Sequence, residues 1–398
     1  MLTTLAIANY RSLLDLKLSL GQLTVIVGQN GSGKSNLYKA LRLLADTSRG
    51  ESNVINALAM EGGLPSTFWA GPNNLSAAMK RGDVPIEATS KRKAQRLKLG
   101  FAGDDLGYAV TLGYPAYGKD QDSPAPPSAF KLDPEIKKEV IFGGPFYRPN
   151  TALVDRSGYI AQVRDGRKWQ LASSHIPPYT SMFDQLSDPK VAPEVFHVRH
   201  MIRQWRFYDH FRTDQDAPAR KSSIGTRTPV LSADGRDLAA ALQTIIEIGD
   251  HNSLNAAIDD AFPGSYIDIT RSEDGLFTLN LYQPGMLRAL TGAELSDGTL
   301  RFILWVAALL TPRPPALMVL NEPETSLHPD LLPALARLIV KASEHSQVWV
   351  ISHAESLVET LKKARQCDII ELYKENGQTL VRNQEILDEP AWHWPNEG

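Results

Sequence analysis

An α/β fold interrupted by a large strand-rich insertion is predicted for this 398-residue chain by three observations. A continuous apolar run, LTVIVG (23–28), has the character of a strand buried on both faces, and it leads into a glycine-rich loop and a helix. From Leu295 onward, helices and buried strands alternate again. Between these stretches, residues 46 to about 290 carry 18 of the 26 prolines, and short strand candidates there alternate with loops.

The elements follow in order. LTTLAIANY and LLDLKLSL open the chain as strands, the second with period-2 alternation. After the glycine loop a helix is expected from about Lys34 to Leu44. Within the insertion, LGYAVTLGY (106–114) and SGYIAQVRDG (157–166) read as strands, and YIDITRSEDGLFTLNLY (266–282) as a hairpin turning at Asp274-Gly275. Helices are expected around 193–211 and over GRDLAAALQTIIEIG (235–249). The last part reads as helix 297–310, strand ALMVL, helix LLPALARLIVKAS, strand QVWVIS, helix ESLVETLKKA and a closing hairpin, CDIIELYKENGQTLVRN. No internal repeat or heptad run occurs. The expected organisation is a discontinuous core (1–45 plus 290–385), an inserted α+β lobe (46–289) and a C-terminal tail (386–398).

Composition bounds the function. Hydrophobic content of 42% and charged content of 22% are ordinary for a globular chain, and a net charge of −3 gives no global basic field. A single cysteine, Cys367, excludes an internal disulfide framework and a cysteine-rich zinc site, which fits a reducing cytoplasm. The N-terminus lacks a signal-peptide pattern, and the apolar run FILWVAALL falls well short of the roughly 20 residues that span a bilayer. A soluble, cytoplasmic chain with no membrane partner is expected.

GQNGSGKS, Gly28 to Ser35, fits G-x-x-x-x-G-K-[ST] between a strand and a helix, the signature of a P-loop NTPase. Glycines let successive N–H groups converge on an anion, and the helix start adds its positive dipole end. The nucleotide-binding candidates are Gly28, Asn30, Gly31, Ser32, Gly33, Lys34, Ser35 and Asn36. Lys34 would reach the β- and γ-phosphates, and the Ser35 hydroxyl would bind Mg²⁺.

Three weaker motifs follow: LSDGT (295–299), whose Ser296 is a natural helix cap; Asn321-Glu322-Pro323 after an apolar strand, continuing to SLHP; and a second strand ending at His353. In this order behind a phosphate loop they become specific. With NYRSL (9–13), GQNGSGKSN (28–36), LSDGTLRF (295–302), NEPETSLHP (321–329) and ISH (351–353), the sequence resembles the ABC-class ATPases. Within them it is similar to the branch of structural-maintenance-of-chromosomes (SMC) heads, RecF-type repair proteins and the ATPase part of overcoming-lysogeny-defect (OLD) nucleases. The match covers roughly the first 45 and last 105 residues.

The resemblance implies an ABC-type head that binds ATP and Mg²⁺ and forms a homodimer sandwiching two ATPs. Each ATP would be held by one chain's phosphate loop and, in trans, by the other chain's Ser296 and Gly298. Glu322 would polarise the attacking water, and His353 would contact the γ-phosphate. Ser326 to Pro329 would cross the dimer interface. Arg11 is implied to touch the nucleotide, a reading weighed equally with a surface arginine at a strand end. A coupling glutamine is implied too, with Gln95, Gln121, Gln162, Gln170 and Gln185 all open.

Asn321 stands where such sites place an aspartate that holds Mg²⁺ or its water. It keeps a carbonyl acceptor and loses the charge, and losing such a partner typically costs about 10–100-fold in metal affinity. Ser35 and the phosphates still hold the ion, so hydrolysis is expected to be slowed rather than abolished. The alternative is a non-hydrolysing, ATP-dependent scaffold for a partner nuclease or toxin.

Ser296 comes 262 positions after Lys34, a gap that argues against a transporter subunit. The prolines exclude a long coiled coil there. No acidic nuclease domain follows, so the chain by itself is expected to cut nothing; a partner effector is expected in DNA repair, genome maintenance or anti-phage defence. Two basic segments are DNA candidates: KRKAQRLKLG (91–100), after Lys80 and Arg81, and RHMIRQWRFYDHFR (199–212), where arginines interleave with Trp205, Phe207, Tyr208 and Phe211. Plainer readings are preferred for both: a solvated loop or helix face for the first, and aromatics packed inward for the second. His197 and His200 have metal-like spacing but no third ligand, so a structural or surface pair is preferred.

Overall fold

Strand β1 (Leu2–Tyr10) turns into β2 (Leu13–Ser19) with Asn9 and Arg11 both in the left-handed region, at φ 63° and 49°. The computed structural model describes residues 1–50, 53–71, 95–115, 129–130, 132–186, 188–385 and 388–396. They divide into two units: Met1–Leu20 with Gly28–Arg203 and Glu371–Gly398, and Gly21–Val27 with Gln204–Ile370. The chain passes between the units inside β3 (Leu23–Gly28) and again inside β17, whose range is Cys367–Glu375. Residues 204–289 of the expected insertion thus group with the motif-bearing 290–370, and residues 46–203 group with β1 and β2.

The first unit is built on one antiparallel sheet. After α1 (Lys34–Asp46) and the short helices α2 (Asn53–Met60) and α3 (Gly63–Thr67) come β4 (Arg96–Gly103), β5 (Leu106–Gly113), β6 (Glu135–Gly143), β7 (Ala152–Ser157), β8 (Ile160–Asp165) and β9 (Lys168–Ser173). The strand order is β2-β1-β4-β5-β6-β7-β8-β9. Helix α1 lays Leu37, Leu41 and Leu44 against this sheet, each worth about 1.5–3 kcal/mol when fully buried. Beneath β6 lies a wholly buried ion pair, Arg156 Nη1 to Glu139 Oε2 at 2.6 Å. The Glu139 carboxylate also accepts from the Tyr108 hydroxyl, the Ser181 hydroxyl and the Met182 N–H, while Arg156 donates to the carbonyls of Gly158, Pro177 and Thr180. Ser181 caps α4 (Met182–Gln185), and α5 (Pro193–Arg203) closes this unit. Trp392 of the C-terminal segment packs on Phe142, ring centroids 5.9 Å apart.

The second unit holds parallel strands. β10 (Arg206–Tyr208) is followed by β11 (Ser223–Ile224), α6 (Leu238–Ile248), α7 (His251–Ala261), the hairpin β12 (Tyr266–Arg271) and β13 (Leu276–Tyr282), and β14 (Leu290–Thr291). Then come α8 (Asp297–Leu309), β15 (Leu317–Asn321), α9 (Leu332–Ala342), β16 (Gln347–Ile351) and α10 (Glu355–Leu361). The order is β10-β15-β16-β3, all parallel, with β17 next to β3. Helix α8 is buried on every side from Leu300 to Leu309, which explains its uninterrupted apolar run. Trp305 of α8 packs on Phe211, centroids 4.9 Å apart.

Two expectations need correction. The helix foreseen over 193–211 ends at Arg203, and Arg206–Tyr208 instead pair in parallel with β15. A strand buried on both faces is apolar on both, so WRFY could pass for a helix stripe. The basic segment 91–100 becomes central strand β4 from Arg96 onward, not a loop or helix face. Its residues 91–94 lie outside the described residues, as do Lys80, Arg81 and Gln121. Strands β6 and β9 had no counterpart in the sequence reading. The closing hairpin joins β17 to β18 (Gln378–Val381) through Asn376-Gly377, both at positive φ as a two-residue turn of this kind requires.

Candidate functional site

The phosphate loop leaves β3 and enters α1 through Gly33, which sits at φ 110°. No side chain caps α1, so its first N–H groups are left for another acceptor. Two glycines are required by their surroundings as well as by φ: a Cβ on Gly28 would strike the Leu372 carbonyl and the Ser32 hydroxyl, and one on Gly33 would strike the Thr379 side chain. Lys34 is buried to 7% and its Nζ donates to the loop carbonyls of Gly28 and Gln29. Ser35, Asn30 and Gly31 are exposed.

A relay of short hydrogen bonds fixes this loop. Asn36 Nδ2 donates to Ser12 Oγ at 2.7 Å, Ser12 Oγ shares a proton with Thr379 Oγ1 at 2.7 Å, and Thr379 Oγ1 donates to the Ser32 carbonyl at 2.8 Å. Thr379, on β18, is fully buried and has no counterpart in the sequence reading. The Ser32 hydroxyl is buried with no hydrogen-bond partner among the described residues. An uncapped helix start, a buried unpartnered hydroxyl and an exposed Ser35 form a donor set that fits a triphosphate and its Mg²⁺.

Arg11 lies in the same unit, held by Glu61. Its Nη2 is 2.8 Å from Glu61 Oε2, and the Tyr10 hydroxyl donates to that oxygen at 2.6 Å. Burial, reinforced by Glu61, pushes the Tyr10 phenol well above its ordinary value.

In the second unit, the parallel register sets the carboxyl ends of β15, β16 and β3 side by side: Asn321 faces Ile351, and Ile351 faces Ile26. Crevices at such strand ends are where open α/β sheets bind ligands. Asn321 ends β15, and its Nδ2 lies 3.4 Å from Asp209 Oδ1. Glu322 follows at φ 50°, its N–H bonded to the Ile351 carbonyl at 2.8 Å and its carboxylate half exposed. His353 Nδ1 is 3.8 Å from Glu322 Oε1, so these two candidates do meet.

The buried carboxylate here is Glu324, a residue quoted in the sequence motif without a role. Its Oε1 accepts from the Ser352 hydroxyl at 2.7 Å, the His353 N–H at 2.9 Å and the Ala354 N–H at 3.3 Å. His353 Nδ1 lies 3.3 Å from the same oxygen. The proline-flanked second glutamate of Glu322-Pro323-Glu324 was the available signal.

The LSDGT segment begins α8. Ser296 caps it, accepting the Thr299 N–H at 3.2 Å, and Gly298 lies against the Ser326 carbonyl. Two arginines brace this helix. Arg220 pairs with Asp297 at 2.5 Å and donates to the Leu295 carbonyl at 2.6 Å. Buried Arg301 donates to the carbonyls of Thr325 (2.8 Å) and Phe211 (3.0 Å), tying α8 to the loop behind Glu322. Burial lowers the Arg301 pKa from the usual guanidinium value. Neither arginine could be identified from spacing, because the partners are 77 and 24 residues away.

Other candidates fall outside these constellations. Gln95, Gln162, Gln170 and Gln185 are exposed in the first unit. Trp205, Phe207, Tyr208 and Phe211 are all buried, so none can stack on a base. Phe196 stacks on His200 at 7° between ring planes, and among the described residues no group of His, Cys, Asp and Glu could hold a metal. No helix among the described residues is long and apolar enough to cross a membrane.

No curated protein matches the sequence. Solved structures similar to the chain include an SMC head bound to the C-winged helix domain of ScpA (14% identity, 96% of each chain, TM-score 0.49). Others are the SMC head domain from Thermotoga maritima (15%, 97% of this chain and 99% of that one, 0.47) and an SMC head with an extended coiled coil bound to the C-terminal domain of ScpA from Pyrococcus furiosus (13%, 96% and 95%, 0.48). The family model described as AAA domain, putative AbiEii toxin, Type IV TA system matches residues 23–359, a span running from β3 through the phosphate loop, the signature and His353 into α10. The chain therefore belongs to this AAA-domain family, with an ABC/SMC-like P-loop ATPase fold.

Proposed function

We propose that the chain binds ATP with Mg²⁺ and hydrolyses it slowly, as a homodimeric switch acting with a partner effector in DNA maintenance or anti-phage defence. The observation that carries the nucleotide reading is the phosphate loop, with its uncapped helix start, buried Ser32 hydroxyl and exposed Ser35. Backbone N–H groups of Gly31 to Ser35 would cradle the phosphates, Lys34 would balance their charge, and Ser35 with Asn321 would hold the metal. Bound Mg²⁺ supplies charge compensation for the phosphoryl oxygens. Glu322 would take the proton from the attacking water, with His353 beside it as a donor to the γ-phosphate. Ser296 and Gly298 would serve the second subunit's nucleotide, and Arg11 would reach the nucleotide after leaving Glu61.

The division into an ATPase core (1–45 and 290–385), an inserted lobe (46–289) and a tail (386–398) belongs to this reading. The family description, with its toxin and toxin–antitoxin wording, favours the defence setting. Lys34→Ala should abolish ATP binding, and Glu322→Gln should keep binding while losing steady-state turnover; duplex DNA should stimulate the wild type if DNA is the partner. Normal ATP affinity in Lys34→Ala would overturn the site. Asn321 favours one rival, the ATP-held scaffold for a nuclease or toxin, which predicts ATP binding without turnover in the wild type.

A further inference from the structure

Asn321 poses a charge problem, and the neighbouring strand offers an answer. β10 runs parallel to β15, pairing Arg206 with Met318, Phe207 with Val319 and Tyr208 with Leu320. One step further, Asp209 falls opposite Asn321 at the carboxyl ends of the two strands. Residues opposite one another on neighbouring strands project to the same face, and such strands lie about 4.8 Å apart. The side chains meet: Asn321 Nδ2 donates to Asp209 Oδ1 at 3.4 Å. Both residues are half-buried.

We infer that Asp209 supplies the carboxylate charge that β15 lacks at Asn321, and that the two together form the Mg²⁺-facing oxygen pair of the nucleotide site. The inference rests on the ATP reading above. With its amide nitrogen turned to Asp209, Asn321 keeps its carbonyl oxygen for another partner, and Asp209 brings the formal charge. Carboxylate and amide oxygens are hard donors of the kind Mg²⁺ takes directly or through its waters. The arrangement also gives a reason for the asparagine. An aspartate at 321 would set two carboxylates side by side, and like charges at that distance cannot both ionise without cost. Asn321 with Asp209 carries one negative charge, as an ordinary aspartate with a neutral neighbour does, displaced by one strand.

The test is equilibrium binding of a fluorescent ATP analogue across a Mg²⁺ titration starting from EDTA. It compares wild type, Asp209→Asn, Asn321→Asp and the double exchange Asp209→Asn/Asn321→Asp. For Asp209→Asn the Mg²⁺ needed for half-maximal effect should rise by about 10–100-fold while Mg²⁺-free binding is retained. The double exchange, which returns the charge to β15, should restore the wild-type dependence, a result that loss of folding cannot mimic. Asn321→Asp should weaken Mg²⁺-free binding and increase the gain from Mg²⁺. An unchanged Mg²⁺ dependence in Asp209→Asn, with ATP still bound, overturns this inference and leaves the ATP reading standing. No ATP binding by the wild type overturns both.

Discussion

Glu324 Oε1 receives the backbone N–H of His353 at 2.9 Å, and the same oxygen takes the Ser352 hydroxyl at 2.7 Å. The carboxylate is almost wholly buried, although its sequence neighbour Glu322 is half exposed. Two glutamates two residues apart therefore do different work: one faces outward, and the other ties the end of β16 to the loop after β15. Glu324→Ala would strand three donors, so unfolding free energy should fall by about 1–3 kcal/mol for the lost hydrogen bonding. Turnover should fall further than ATP affinity, because His353 loses its support. Chemical denaturation and steady-state hydrolysis measure the two, and a variant with wild-type turnover and stability would refute the assignment.

Thr379 reaches the phosphate loop from β18. Thr379→Val keeps the shape and deletes the hydroxyl that donates to the Ser32 carbonyl and shares a proton with Ser12. One buried hydrogen bond contributes about 1 kcal/mol, or roughly fivefold in an equilibrium. Calorimetric titration should show ATP affinity reduced by about that factor, with Thr379→Ser close to wild type.

Arg156 and Glu139 form the charged centre of the antiparallel sheet. Replacing Arg156 by Met leaves a buried carboxylate, a change that costs about 3–5 kcal/mol. Removing both, as Arg156→Met with Glu139→Gln, should recover part of that loss. The melting temperatures of the two variants test the pairing, and equal melting temperatures would count against it.

Cys367 opens β17, half-buried, with Asp368 beside it. Burial foremost, and then the Asp368 charge, pushes its thiol up to about 11, with Lys362 opposing. The reactive thiolate is therefore scarce in the folded chain at pH 8 and grows as pH approaches 11. A thiol reagent at pH 8 should label the native protein much more slowly than the denatured chain. Because Cys367 is the sole cysteine, the signal is unambiguous.

Some of this could be read before any fold was seen. GQNGSGKS between a buried strand and a helix is a local pattern, and every residue that shapes it lies within eight positions. Ser296 as a helix cap and Asn376-Gly377 as a hairpin turn are equally local, because backbone geometry at those points depends on the residue itself. WRFY was ambiguous because strand or helix there depends on whether β15 lies alongside.

The sequence by itself determined the phosphate loop, the order of the motifs and the absence of a carboxylate at 321. Tertiary structure decided what surrounds them. Asp209 is 112 residues from Asn321, Thr379 is 347 from Ser32, and Arg220 is 77 from Asp297. Those contacts exist only because strands and helices far apart in the chain pack together. No spacing rule encodes such pairings; the burial of apolar faces selects them, and the polar partners are carried along.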